Sequence, residues 1–313
     1  MSMLSAVFVE PFVMIWEFPQ FFVEVLIGGL MAGVMYSLVA LGFVLIFKAS
    51  GVFNFAQGAM VLFAALTCVG LIDYGLPFWL AFLLTVGVMI MLAFVVERMV
   101  LRPLVNQAPI ILFMATIGIT FFLDGFGQMV WGSRVRILDI GVPNEPFEQT
   151  LFGVYINKFD LFAAVVCGAL VAVLALFFQY TAIGRALRAV ADDHQAAMSV
   201  GIPLRTIWTI VWSVAGIVAL VAGIMWGSKL GVQFSLALIA LKALPVLILG
   251  GLTSVPGAIV GGLIIGAGEK IAEVFWGGAF GGAIEDWFAY ILALVFLLVR
   301  PQGLFGERII ERV

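Results

Sequence analysis

The sequence predicts an all-α, polytopic integral membrane protein with about eight or nine transmembrane helices packed through glycine. Composition is the first observation behind that prediction. Across 313 residues, 64% are hydrophobic, only 11% are charged, and the mean hydropathy is +1.23. A soluble domain carries roughly a quarter charged residues, so this chain in water would expose more apolar surface than a soluble fold tolerates. The second observation is the recurrence of apolar runs of about 18 residues or more. Within a bilayer such runs must be helical, because every backbone polar group needs an internal partner. The third is the presence of 35 glycines, many inside those runs, where small residues let helix backbones approach closely.

Taken in order, residues 1–20 mix Phe and Trp with acids and prolines, and read as an interfacial lead-in with Trp16 at headgroup depth. Glu10 and Glu17 stand where a signal peptide would carry basic residues, so no cleavable signal is evident. The first span runs from about Val23 to Phe47 and carries Gly28, Gly29, Gly33 and Gly42. After a break at Lys48–Gly51, the second extends from Val52 to about Ile72, and the third from Phe78 to Val96. The fourth covers about Ile110–Trp131 and the fifth Phe159–Tyr180, separated by a polar stretch that contains Pro143 and Pro146. Thr206–Trp226 is the sixth. Two glycine-broken spans follow, about Leu236–Gly251 and Val255–Trp276, and a last one covers about Ile284–Val299. The whole chain, 1–313, is expected to form one transmembrane domain. Cys68 and Cys167 fall inside apolar runs and read as small core residues rather than a disulfide pair.

Lys and Arg set the expected orientation. Nine alternating spans place Lys48, Arg98, Arg102, Arg185, Arg188, Arg205, Arg300, Arg308 and Arg312 on one side, which should be cytoplasmic. The N-terminus then faces outward; an eight-span arrangement would bring it inside. Arg134, Arg136 and Lys158 fall on the other side, balanced by Asp139, Glu145, Glu148 and Asp160. MVWGSR (129–134) and IMWGSK (224–229) end spans on that same side and read as two Trp-plus-cation interface anchors.

Tyr180–Pro203 is the longest polar run between two strongly apolar segments. Gly184 opens it, Ala-rich sequence fills it, and Gly201 followed by Pro203 stops it. As one helix it places Leu187, Val190, Ala191, His194 and Met198 on one face, with Arg188, Asp192, Gln195 and Ser199 on another. Such a helix either carries groups that a water-side partner reads or is a solvated loop helix.

Enzymatic chemistry finds little footing. His194 is the only histidine, with no nucleophile or metal-ligand cluster around it, and no paired intramembrane carboxylates occur. Lone Asp124 reads as a helix-end group. No GxxxxGK[ST] phosphate loop exists, so ATP-driven transport would need an ATPase on another chain. Polar groups at membrane depth are the candidates for a translocation path. Lys242 either faces an aqueous path or snorkels from its span's end. Asn54 and Gln57, three residues apart, share one helical face and either line a path or hydrogen-bond between helices. Gly250, Gly251, Gly257, Gly261 and Gly262 are dense enough for tight helix contact or a broken helix. Glu269 and Glu273, with Lys270 beside them, read as an interfacial charge cluster rather than a proton relay.

Three blocks, in order, resemble one family. GVFNFAQGAM after ALGFVLIF, T-x-x-G-R-A-x-R-A-x-A-D at 181–192 with Gly201-Ile202, and LKALPVLILGGLTSVPGAIVGGLIIG are similar to branched-chain amino acid ABC importer permeases of the LivH type. The resemblance covers about residues 25–305. It departs at Gln57, where the family often has His, and at Leu244-Pro245, where Phe-Ala is common; Pro245 is expected to loosen its helix. What the resemblance implies is the ABC importer permease fold and a subunit of the inner membrane. Its partners would be cytosolic ATPases that bind the ATP, a second permease of the LivM type, and a periplasmic substrate-binding protein. Residues 181–203 become the coupling segment, with Gly184, Arg185, Arg188, Asp192 and Gly201 as its marked positions. Lipid is the expected surrounding, with no nucleic acid partner and no cofactor in the chain itself. An importer of urea or short amides on the same architecture is the nearer rival, a secondary transporter the farther.

Overall fold

Prolines and capping residues cut the apolar runs into helices in the computed structural model, which describes residues 7–104, 107–147 and 153–306. Glu148, Arg308 and Arg312, part of the charge pattern above, lie outside the described residues. The helices are α1 (Glu10–Glu17), α2 (Pro19–Ser50), α3 (Gln57–Asp73), α4 (Phe78–Val96), α5 (Pro109–Trp131) and α6 (Lys158–Tyr180). They continue with α7 (Ala182–Asp192), α8 (His194–Ser199), α9 (Leu204–Leu230), α10 (Ile239–Gly250), α11 (Val255–Phe280) and α12 (Phe288–Val299). Pro19 and Pro109 sit in the first turns of α2 and α5, where a missing N–H costs nothing. Asn157 caps α6 through its side chain, and Ser254 caps α11, each replacing an orphan backbone partner.

By length and composition, α2, α4 with its continuation to Leu104, α5, α6 and α9 can each cross a bilayer. α10, with the short turn Phe234–Leu238 before it, and α11 form an apolar pair bent by 115°. α3 and α12 are apolar but shorter. The nine predicted runs are thus all helical, with shifted ends. α3 begins at Gln57 rather than Val52, because residues 51–56 are not helical. α12 begins at Phe288, after a single turn at Ile284–Asp286. Pro245 does not loosen its helix: α10 runs through it, and the proline is buried.

The core centres on α2, α3 and α9. The spanning windows of α2 and α9 are 78% and 72% buried, against 28% for α4, α5 and α6. All five are apolar around their circumference, so the first two fill the bundle and the last three present apolar faces outward. Glycine sets how closely the central helices meet. A Cβ on Gly33 would lie 2.5 Å from the Gly262 carbonyl oxygen, and one on Gly262 would overlap the Ser37 hydroxyl. Ser37 Oγ donates to the carbonyls of Gly33 and Ile259 across the same seam.

The two ends of the bundle differ in charge. Lys48, Arg185, Arg188 and Arg205 gather at one end, where the Trp208 indole N–H bonds the Ala49 carbonyl and so ties α9 to α2. At the other, the backbones of Arg136 and Val232 pair, bringing the ends of α5 and α9 to one face. The two Trp-plus-cation segments therefore do leave the bundle together. Arg136 pairs with Asp73 there, and Lys229 with Asp160.

Candidate translocation and coupling sites

At the paired-charge end a cavity of about 370 Å³ opens between α2, α9, α10 and α11. Its wall mixes small and apolar residues (Gly28, Ala32, Leu238, Ile239) with charge (Asp160, Lys229, Lys242, Glu269). Lys242 lies on this wall. Its ammonium sits 3.2 Å from Glu269 Oε1, 3.3 Å from Asp286 Oδ1 and 3.9 Å from Glu285. The Tyr36 hydroxyl donates to the same Glu269 oxygen at 3.2 Å. Tyr36 in turn stacks on Trp226, ring centroids 5.3 Å apart. A half-buried ammonium among three carboxylates is held by its partners, and removing it would leave a buried Glu269 charge under-compensated. Glu269 and Glu273 do not act as one cluster. Glu273 accepts hydrogen bonds from the backbone of Ala283 and Glu285 and caps the turn into α12.

Asn54 and Gln57 are placed elsewhere. Both are fully buried, Gln57 at the start of α3 and Asn54 in the non-helical segment before it, so the two do not share one helical face. Gln57 donates to the Ala215 carbonyl of α9, and Asn54 accepts from the Ala56 N–H; neither lines this cavity. Gln57 thus bridges two helices, while the bond of Asn54 stays within its own turn. Asp124, nearly two turns inside α5, borders a separate apolar cavity rather than ending a helix.

The opposite end holds the polar run, and it is two helices, not one. Asp193 adopts an extended conformation and caps α8 by accepting from the N–H groups of Gln195 and Ala196. An Asp at that point competes for the backbone better as a cap than as helix interior. The break rotates the face: Leu187 and Val190 are buried on α7, but Ala197 rather than Met198 is buried on α8. The side chain of His194 lies outside the described residues. Asp192 is exposed at the end of α7, and Gly201 has φ +85°, a left-handed turn conformation open to glycine.

α6 meets α7 at a one-residue corner. Thr181 ends α6 and caps α7, its hydroxyl donating to the Phe177 carbonyl and accepting from the Gly184 N–H. So tight a corner folds the first turn of α7 onto the last turn of α6, and a Cβ on Gly184 would overlap the Phe178 carbonyl oxygen. Glycine is required there for close approach, not for bending. Arg188 donates to the carbonyls of Phe178 (2.6 Å) and Gln179 (3.2 Å), and Arg185 to that of Tyr180 (3.2 Å). These are the orphan carbonyls at the negative end of α6, where a guanidinium satisfies both hydrogen bonding and the helix dipole. A second cavity of about 350 Å³ lies beside this junction, walled by Lys48, Leu187 and Arg188 and by the α10–α11 bend at Thr253–Pro256. At that bend Gly250 and Gly257 meet backbone to backbone. Gly261 faces the Val246 carbonyl, and Gly251, at φ +103°, lets residues 302–306 pack onto it.

Sequence reasoning missed Tyr36, gave Thr181 no role beyond its motif, and read Trp226 as an interface anchor, whereas Trp226 is buried against Tyr36. Thr181 carried a signal, a hydroxyl residue directly before a helix-forming run. Tyr36, embedded in an apolar run, carried none.

Residues 25–300 match the family model described as the permease component of branched-chain amino acid transport systems. The chain belongs to that family. It is 30% identical to the Pseudomonas aeruginosa high-affinity branched-chain amino acid transport system permease protein BraD, covering 93% of this chain and 98% of the relative. It is 27% identical to the Escherichia coli counterpart LivH and 26% to that of Salmonella typhimurium, each alignment covering 94% of this chain and 98% of the relative. The chain is accordingly a multi-pass, inner-membrane ABC permease subunit and not itself an enzyme.

Proposed function

We propose that this chain forms part of the membrane pathway of an ATP-driven importer of branched-chain or other small hydrophobic amino acids. The observation that carries this is the unbroken family match from residue 25 to 300, which takes in both the Lys242 cavity and the α6–α7 junction. In this reading Lys48, Arg185, Arg188 and Arg205 face the cytoplasm, following the positive-inside rule. α7 and α8 then meet cytosolic ATPases, and the cavity opens outward to a periplasmic substrate-binding protein. A second permease of the LivM type completes the pathway, against the outward apolar faces of α4–α6.

Mechanically, closure of the ATPases would press on α7, and the arginines that grip the end of α6 would pass that displacement into the span. Lys242, with its carboxylate partners, lines the outward part of the route. The test is uptake of labelled leucine into vesicles that contain this chain with and without its ATPases. Uptake only when both ATPases and ATP are present supports the reading. Uptake by the chain alone on an ion gradient would overturn it, and ATP-driven uptake of urea but not leucine would change the cargo.

A further inference from the structure

We infer that the Lys242 cavity contains a built subsite for the zwitterionic head of an aliphatic amino acid, so that the permease itself recognises cargo. This deepens the transport reading above and rests on it. Two residues of the cavity wall each carry a buried polar atom with no hydrogen-bond partner among the described residues: Glu269 Oε2, an acceptor, and Trp226 Nε1, which can only donate. The two side chains are more than nine-tenths buried, so each unmet bond is costly unless something supplies it. Tyr36 touches both, stacking on Trp226 and donating to Glu269 Oε1, which places the idle donor and the idle acceptor around one side chain.

Glu269 has committed Oε1 to Lys242 and Tyr36, leaving Oε2 for a ligand cation. On the same wall Lys270 forms no ion pair among the described residues. Glu269 Oε2 would accept from an α-ammonium, while the Trp226 N–H and the Lys270 ammonium would hold the α-carboxylate. Ala32, Leu238 and Ile239 supply an apolar wall for the side chain. The wall carries both signs, Asp160, Glu269 and Glu285 beside Lys229, Lys242 and Lys270, with Asp286 a further partner of Lys242, so it suits a ligand that carries both charges. The volume, about 370 Å³, suits a molecule of leucine size.

The experiment measures binding to membranes that contain the full chain, without soluble binding protein, using three probes: leucine, isoamylamine and 4-methylpentanoate. Glu269→Gln should weaken leucine and isoamylamine about tenfold and not weaken 4-methylpentanoate, because it removes the charge facing the ammonium and, by freeing Lys242 of one partner, takes nothing from a carboxylate. Trp226→Phe keeps the stacked ring and deletes one donor. It should weaken leucine and 4-methylpentanoate several-fold and spare isoamylamine. Probe-selective losses of this kind would not come from misfolding, which lowers all three together. Absence of saturable binding, or variants that bind all three probes like the unmodified chain, overturns the subsite. ATP-driven leucine uptake without such binding would overturn the subsite alone. Group-selective binding without ATP-driven uptake would support the subsite and overturn the transport reading.

Discussion

At one end of the bundle Lys242 is held by the side chains of Glu269, Glu285 and Asp286, while at the other Arg185 and Arg188 are held by the backbone carbonyls of residues 178–180. The difference lies in what can be exchanged. A carboxylate that releases a lysine can take a ligand ammonium in its place at small net cost. A carbonyl at the end of α6 cannot leave its guanidinium without either losing the bond or unwinding the helix. The first arrangement suits a wall that opens and re-partners; the second suits a joint that transmits displacement. Their surroundings agree. The lysine borders a cavity with idle hydrogen-bonding atoms, whereas the arginine joint is locked by a glycine that admits no side chain.

The strongest way to break this contrast is at the joint. Gly184→Val forces a side chain against the Phe178 backbone, an overpacking that costs roughly 1–3 kcal/mol or more and has no rotamer to relieve it. Uptake should fall roughly tenfold or more with the chain still in the membrane, as read by transport per copy of inserted protein. Near-normal uptake would mean that α6 and α7 need not touch. At the exchangeable end the expected effects are smaller and depend on charge. Lys242→Met should lower uptake several-fold, because Glu269 then lies buried with only Tyr36 as partner. Lys242→Arg should retain most of it, since several carboxylate oxygens can accommodate a different cation. Equal damage from Met and Arg would argue that the lysine is fixed by shape rather than charge. The smallest perturbation is a label. Single cysteines at exposed Gln195 and Asn144 should leave transport intact and react with impermeant thiol reagents from the cytoplasmic and external sides respectively. The reverse pattern would invert the assignment of the two ends.

Much of the fold was legible because its determinants are local. Apolar run length and the glycines marked about nine helices without any tertiary information, and the errors were at ends where capping decides. The split at Asp193 is such a case: the periodicity of Leu187, Val190 and Ala191 continues numerically through His194, but a capping carboxylate interrupts it. A further residue, Asn106, was a natural labelling position in the α4–α5 loop and lies outside the described residues. The cavity was much less legible. Tyr36 and Glu269 meet across 233 residues of sequence, and no spacing rule connects a tyrosine in one apolar run to a glutamate in another. Lys242 stood out because a charge in an apolar run is costly, yet the cost alone did not say which carboxylates meet it. Asn54 and Gln57 stood out as amides among apolar residues, and the fold buries both. Arg185 and Arg188 were visible as charges, but their destination depended on a one-residue corner that only the three-dimensional course of α6 and α7 reveals.

That corner also gives the most direct measurement. If the arginines bind a partner, replacing both with Ala should release the ATPases. If they clamp α7 to α6, the ATPases should stay bound while transport fails. The double variant Arg185→Ala/Arg188→Ala should therefore retain ATPase pull-down and ATP hydrolysis, and lose leucine uptake by roughly tenfold, because three bonds to the end of α6 go at once while the freed carbonyls regain water. Unimpaired uptake in that variant would contradict the account, leaving α7 as a solvated loop helix with no part in coupling.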